Sequence, residues 1–202
     1  MGALSIIEKL NQKSPESLAS VVYSRNPFGI PSSYVGSKIC EKNSIELFGS
    51  NGVSYILKSR ITSNKGLLKY FKVIMSKTSA EHAGQADKNG RKKIISVIRV
   101  LPPGAVCTES YLLLKTFEQE EDALNMVKYL KTQFVRFLLA TILLTQNIAK
   151  DKFAFVPIQD FSDNSDIDWE KTVPEINLQL YKKYGLLAEE KSLIESSIKP
   201  MN

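Results

Sequence analysis

Glu189-Glu190-Lys191 matches the Glu-x-Lys spacing of nucleases that gather carboxylates around a divalent cation. The further acids would have to come from the aspartates at 160–168, in the stretch DFSDNSDIDWE. Those aspartates lack the alternating ligand spacing and closing glutamate of a calcium loop. No strand precedes Glu189, so the acidic stretch reads as a solvated loop. His82, the single histidine, has no acid or nucleophile in a structured neighbourhood, which leaves a catalytic triad unsupported. Cys40 and Cys107 stand outside any CxxC spacing and read as ordinary apolar residues of a reducing compartment, with no metal bound.

Two proline turns raise a second chemistry. Asn26-Pro27-Phe28-Gly29 falls one residue short of Asn-Pro-Pro-aromatic, a loop that grips the exocyclic amine of a flipped adenine and stacks a ring on the base. Here the second proline is missing and glycine stands where the ring is required. Leu101-Pro102-Pro103-Gly104 has both prolines but neither the asparagine nor the aromatic. No glycine-rich loop for a methyl donor follows any strand. Both stretches read as turns, and methyl transfer by this chain is disfavoured.

The cations carry more information. The net charge is +6, and residues 51–100 hold 11 basic side chains against 2 acidic ones, whereas residues 151–202 hold 6 against 10. A polyanion-binding face requires such a concentration, while solvating lysines are ordinarily interspersed with glutamates. Lys58, Arg60, Lys65, Lys69, Lys72, Lys77, Lys88, Arg91, Lys92, Lys93 and Arg99 alternate with Tyr55, Tyr70 and Phe71. Lysine and arginine neutralise phosphates and release counterions, and arginine also forks onto guanine edges. The candidate DNA-binding residues are Arg25, Lys58, Arg60, Lys77, Lys88, Arg91, Lys92, Lys93 and Arg99, with no catalytic, cofactor or metal residue assigned.

The elements that must position them are legible in part. SPESLASVVYS predicts a short helix at 15–23, ended by Pro27. SIELFGSNGVSYILKSRI reads as a hairpin about a glycine-rich turn, with Ile45, Leu47, Val53, Tyr55 and Leu57 facing one way. FKVIMSK, 71–77, is a strand, and SAEHAGQADKNGRKK after it is a basic loop. ISVIRVLPPGAVCTESYLLLKTF adds two strands, for a sheet of five or six. EQEEDALNMVKYLKTQFVRFLLATILLTQ, with four acids at its start, predicts one long buried helix at about 118–147. Short helices at 174–183 and 187–197 close the chain, the region 160–202 being a C-terminal helical extension of one domain spanning 1–202.

The fold class expected is therefore α+β, a mostly antiparallel twisted sheet packed on one long helix with small helices at both ends. The longest apolar run, FLLATILL, falls far short of the roughly 20 residues of a membrane span. MGALSIIEKL lacks a basic export leader, and Ile6 stands where myristoylation requires serine or threonine. A cytoplasmic protein with no membrane partner is expected.

Several stretches together resemble one family. SLASVVYSRNPFGI, ELFGSNGVSYI, KVIMSK, the segment from VCTESYLLLKTF through FVPIQDF, and the ending LYKKYGLLAEEKSLIESSIKPM are similar to the C-terminal target recognition domain of restriction-modification DNA adenine-N6 methyltransferases of the large single-chain type. In that family a polar cap follows Tyr-Gly-Leu, and Leu187-Ala188 replaces it here, which weakens the local helix signal. The resemblance implies a separated module that reads double-stranded DNA for a methyltransferase, or a combined methyltransferase and endonuclease. The partner would be a methyltransferase catalytic domain or subunit, which would bind S-adenosylmethionine, and the chain itself would need no cofactor. Arg25 and side chains of the 78–93 loop would read bases while lysines of 58–93 hold the backbone. Two alternatives stand beside it: a metal-dependent nuclease using Glu189-Glu190-Lys191 with aspartates of 160–168, and a module that docks acidic partners other than DNA through its basic face.

Overall fold

The computed structural model describes residues 2–80 and 86–201. His82 and the middle of the 78–93 loop lie outside the described residues. The elements run α1 (Ala3–Lys13), β1 (Ser44–Gly49), β2 (Gly52–Leu57), β3 (Phe71–Ser76), β4 (Ile98–Leu101), β5 (Val106–Cys107), β6 (Tyr111–Phe117), α2 (Glu120–Lys131), α3 (Gln133–Ile142), α4 (Val173–Tyr184) and α5 (Ala188–Ser197). The fold is α+β, and three of its four strand pairings are antiparallel.

The strands form two sheets of three, ordered β4-β3-β6 and β2-β1-β5, where the sequence predicts one. The central strand β3 shows why. Val73 and Met75 belong to the larger core, with Leu112 and Leu114 of β6 and the helices, while Ile74 and Leu113 point into a smaller core with Leu47, Ile56 and Val106. A strand buried on both faces reads as a continuous apolar run, as FKVIMSK does. The β4-β3-β6 sheet is thus the middle layer, with helices on one side and the small sheet on the other.

The hairpin forms where expected, but its faces differ from the prediction. A two-residue turn pairs Ile45 with Ile56 and Leu47 with Ser54, so Val53, Tyr55 and Leu57 lie opposite Phe48, Glu46 and Ser44 on the other face. Directly opposed residues share a face of the sheet, so Ile45 and Leu47 cannot share one with Val53.

The single helix predicted over 118–147 is two. Thr132 leaves the helical region, with φ −60° and ψ 148°, and its hydroxyl accepts from Val135 N to cap α3. The buried Arg136 ends α2: its Nε donates to the carbonyls of Lys131 at 3.0 Å and Thr132 at 3.3 Å. A cation on the last carbonyls satisfies acceptors that a helix end leaves open. Asn177 of α4 supplies the complementary acceptor, taking Phe134 N at 2.9 Å.

At the N-terminus, the helix predicted at 15–23 is only a 3₁₀ turn over Leu18–Ser20, and α1 precedes it. Ile6 and Leu10, one turn apart, bury the face of α1. Glu190 fastens this helix to α5, accepting from Lys9 Nζ at 2.6 Å and Ser5 Oγ at 2.7 Å. The same carboxylate takes Leu187 N at 2.8 Å, so α5 starts without the polar cap. The acidic stretch is packed rather than merely solvated, with Phe161, Ile167 and Trp169 in the larger core and the Trp169 indole donating to Asp160 O. Among the described residues no helix is long and apolar enough to cross a membrane.

Candidate nucleic-acid interface

The turn Asn26-Pro27-Phe28-Gly29 is closed by Gly29 N donating to Asn26 O at 3.2 Å. Phe28 is fully buried in the smaller core, so its ring is committed to packing. Gly29 has φ +75°, and a Cβ there would fall 1.8 Å from Thr62 Oγ1, so only glycine fits. Asn64 Nδ2 donates to Pro27 O at 2.6 Å and ties the turn to the neighbouring loop. The turn therefore presents Arg25 outward from a rigid base.

Arg25 projects into a cleft of about 600 Å³ also lined by Tyr23, Lys77, Glu109, Tyr111 and Lys150. Four backbone segments fix its walls. Tyr23 N donates to Leu113 O at 3.0 Å, Lys77 N to Ser110 O at 3.1 Å, Ile148 N to Lys77 O at 2.7 Å, and Glu109 N to Ile30 O at 2.8 Å. Arg25 Nε donates to Glu109 Oε1, and Lys77 Nζ lies 4.0 Å from the same oxygen. That hydrogen bond from Arg25, together with the charges of Arg25 and Lys77, holds the Glu109 carboxyl below its ordinary range against a desolvation penalty. Burial pulls the Lys77 ammonium down, and Glu109 offsets part of that. Lys150 opens the 3₁₀ turn Lys150–Phe153 and forms no ion pair among the described residues.

The nine predicted cations are distributed over distinct parts of the fold. Arg25 and Lys77 meet in the cleft. Lys88, Arg91, Lys92 and Lys93 lie on a segment docked to the C-terminal residues, with Lys92 N donating to Ser197 O at 2.8 Å and Lys199 Nζ pairing with Asp87 at 3.3 Å. Ile95 N donates to Lys93 O across Ile94, which has φ +67°, so this segment turns tightly as it leaves the lysines. Lys58 and Arg60 form an exposed 3₁₀ turn after β2. Arg99 sits on β4, an edge of the β4-β3-β6 sheet, with its guanidinium 5.3 Å from the ring centroid of Phe48 on β1, the central strand of the other sheet.

Lys72 leaves the basic surface altogether. It is fully buried, and its ammonium donates to the carbonyls of Tyr70, Leu67 and Pro102. Sequence reading missed Glu109 and Lys150, which reach the cleft from segments far from Arg25 and Lys77 and carry no local pattern. In the Glu-x-Lys match Glu189 is exposed, and the intervening Glu190 is occupied by Lys9 and Ser5. Among the described residues no three His, Cys, Asp or Glu side chains gather as metal ligands. No family model matches the chain, and no curated protein is significantly similar to it.

Proposed function

We propose that this chain is a DNA target recognition module: it reads a short duplex sequence and orients that duplex for an adenine methyltransferase or a combined methyltransferase and endonuclease. The observation that carries the reading is the state of the basic quarter. Lys58, Arg60, Lys88, Arg91, Lys92 and Arg99 form no ion pair with a carboxylate among the described residues. No carboxylate among the described residues neutralises that charge, so it is available to phosphates, although the Arg99 guanidinium also rests on the Phe48 ring and the Arg91 Nε is buried. Lysines of 58–93 other than the buried Lys72 hold the backbone, and Arg25 with the 78–93 segment reads bases. The chemistry of methylation, with S-adenosylmethionine, belongs to a partner domain or subunit, in the cytoplasm. Titrating fluorescent duplex DNA with the protein over a salt series tests this. Binding that weakens steeply with salt is expected, and failure to prefer duplex DNA over an acidic polypeptide would overturn it.

A further inference from the structure

We propose that the Arg25–Lys77–Lys150 cleft seats one phosphate of the DNA backbone and that Glu109 is its built-in competitor for Arg25, giving up the guanidinium to a phosphate oxygen when duplex docks. The inference rests on the DNA-reading proposal and revises one part of it, assigning Arg25 to a backbone phosphate in place of a base.

A single carboxylate oxygen, Glu109 Oε1, receives the Arg25 guanidinium and faces the Lys77 ammonium at 4.0 Å. Two cations converge on one oxygen, so the single carboxylate charge leaves one of them unneutralised, and a backbone phosphate with its own single negative charge would match it. Lys150 adds a third cation to the wall, so the cleft keeps two positive charges in excess of its one acid. The partners differ in freedom. The Arg25 side chain is 84% exposed and can swing, whereas Glu109 and Lys77 are 18% and 17% exposed and stay in place. Ser76, Thr78 and Asn147 line the same cleft and offer neutral polar groups for a phosphate or its sugar. With the walls pinned by four backbone segments, an incoming phosphate meets a preformed seat, and the movement needed is the transfer of Arg25 from carboxylate to phosphate. Arginine pairs with phosphate are as charge-assisted and directional as those with carboxylate, so the exchange keeps the Arg25 interaction while the phosphate adds a negative charge beside Lys77 and Lys150.

The test is Glu109→Gln, with Arg25→Gln as the opposing variant. Glu109→Gln should bind duplex DNA about threefold to fivefold more tightly at low salt, the worth of one partly exposed ion pair removed. Arg25→Gln should weaken binding and lower the salt slope by up to about 0.9, the share of one phosphate. Inorganic phosphate titrated into Glu109→Gln should shift the side-chain NMR signals of Lys77 and Arg25. Unchanged duplex affinity and slope in both variants, with no phosphate-induced shifts, would overturn the seat while leaving the DNA-reading proposal intact. Phosphate-induced shifts in a protein that binds no duplex would uphold the seat and remove the DNA-reading proposal.

Discussion

The Lys72 ammonium lies 2.5 Å from the Tyr70 carbonyl oxygen, inside the protein, with the Pro102 and Leu67 carbonyls at 3.2 and 3.3 Å. Burial lowers its pKa from 10.5 to about 8. Between those values the unfolded chain holds a proton that the folded chain has released. Stability from this residue is therefore fully present above about pH 10.5 and lost as pH falls to about 8. Denaturant unfolding over a pH series should show stability rising across that window, and Lys72→Met should flatten the rise. The same variant should leave the salt slope of DNA binding unaltered, since Lys72 reaches no phosphate.

Glu190 joins the two ends of the chain through Lys9 at 2.6 Å, with the glutamate 2% exposed. Desolvation raises its pKa, but the hydrogen bonds from Lys9, Ser5 and Leu187 N outweigh that and hold it below the ordinary range. Its contribution is present above that range and is lost on acidification through the folded value. Glu190→Gln should cost about 1–3 kcal/mol at neutral pH, the worth of hydrogen bonds to a charged group, and should lessen the loss of stability in acid. Thermal melts at several pH values measure both. Duplex DNA incubated with magnesium and either protein should remain uncut.

How far such relationships were legible depends on whether their causes are local. Thr172, Pro174 and Gly185 announce α4 with a cap, a first-turn proline and a left-handed C-cap, and the helix spans nearly the residues predicted. The break at Thr132 has no glycine or proline to mark it. It comes from Asn177 and Arg136, a distant acceptor and a buried guanidinium. In the hairpin the turn was recognisable, yet its two-residue length sets odd positions of β1 against even positions of β2, and that parity decides which side chains are buried. Ile6 and Leu10 carried a helical signal that was available for α1. The cleft was not readable at all, because Arg25, Lys77, Glu109 and Lys150 converge from four separated segments.

The two thiols should differ sharply in reactivity. Cys40 is exposed, whereas Cys107 is buried, and desolvation pushes its pKa up to about 12. Thiolate is the reacting species. A colorimetric thiol reagent should therefore titrate one equivalent quickly in the folded protein and a second only on unfolding. Two fast equivalents would contradict the burial of β5.

The most direct test of the DNA-reading account neutralises the segment docked on the C-terminal residues. Arg91→Gln, Lys92→Gln and Lys93→Gln combined should weaken duplex binding and flatten log K against log salt by up to about 2.7, if all three side chains reach phosphates. An unchanged slope in a variant that folds and melts like the parent would contradict the placement of DNA on this surface.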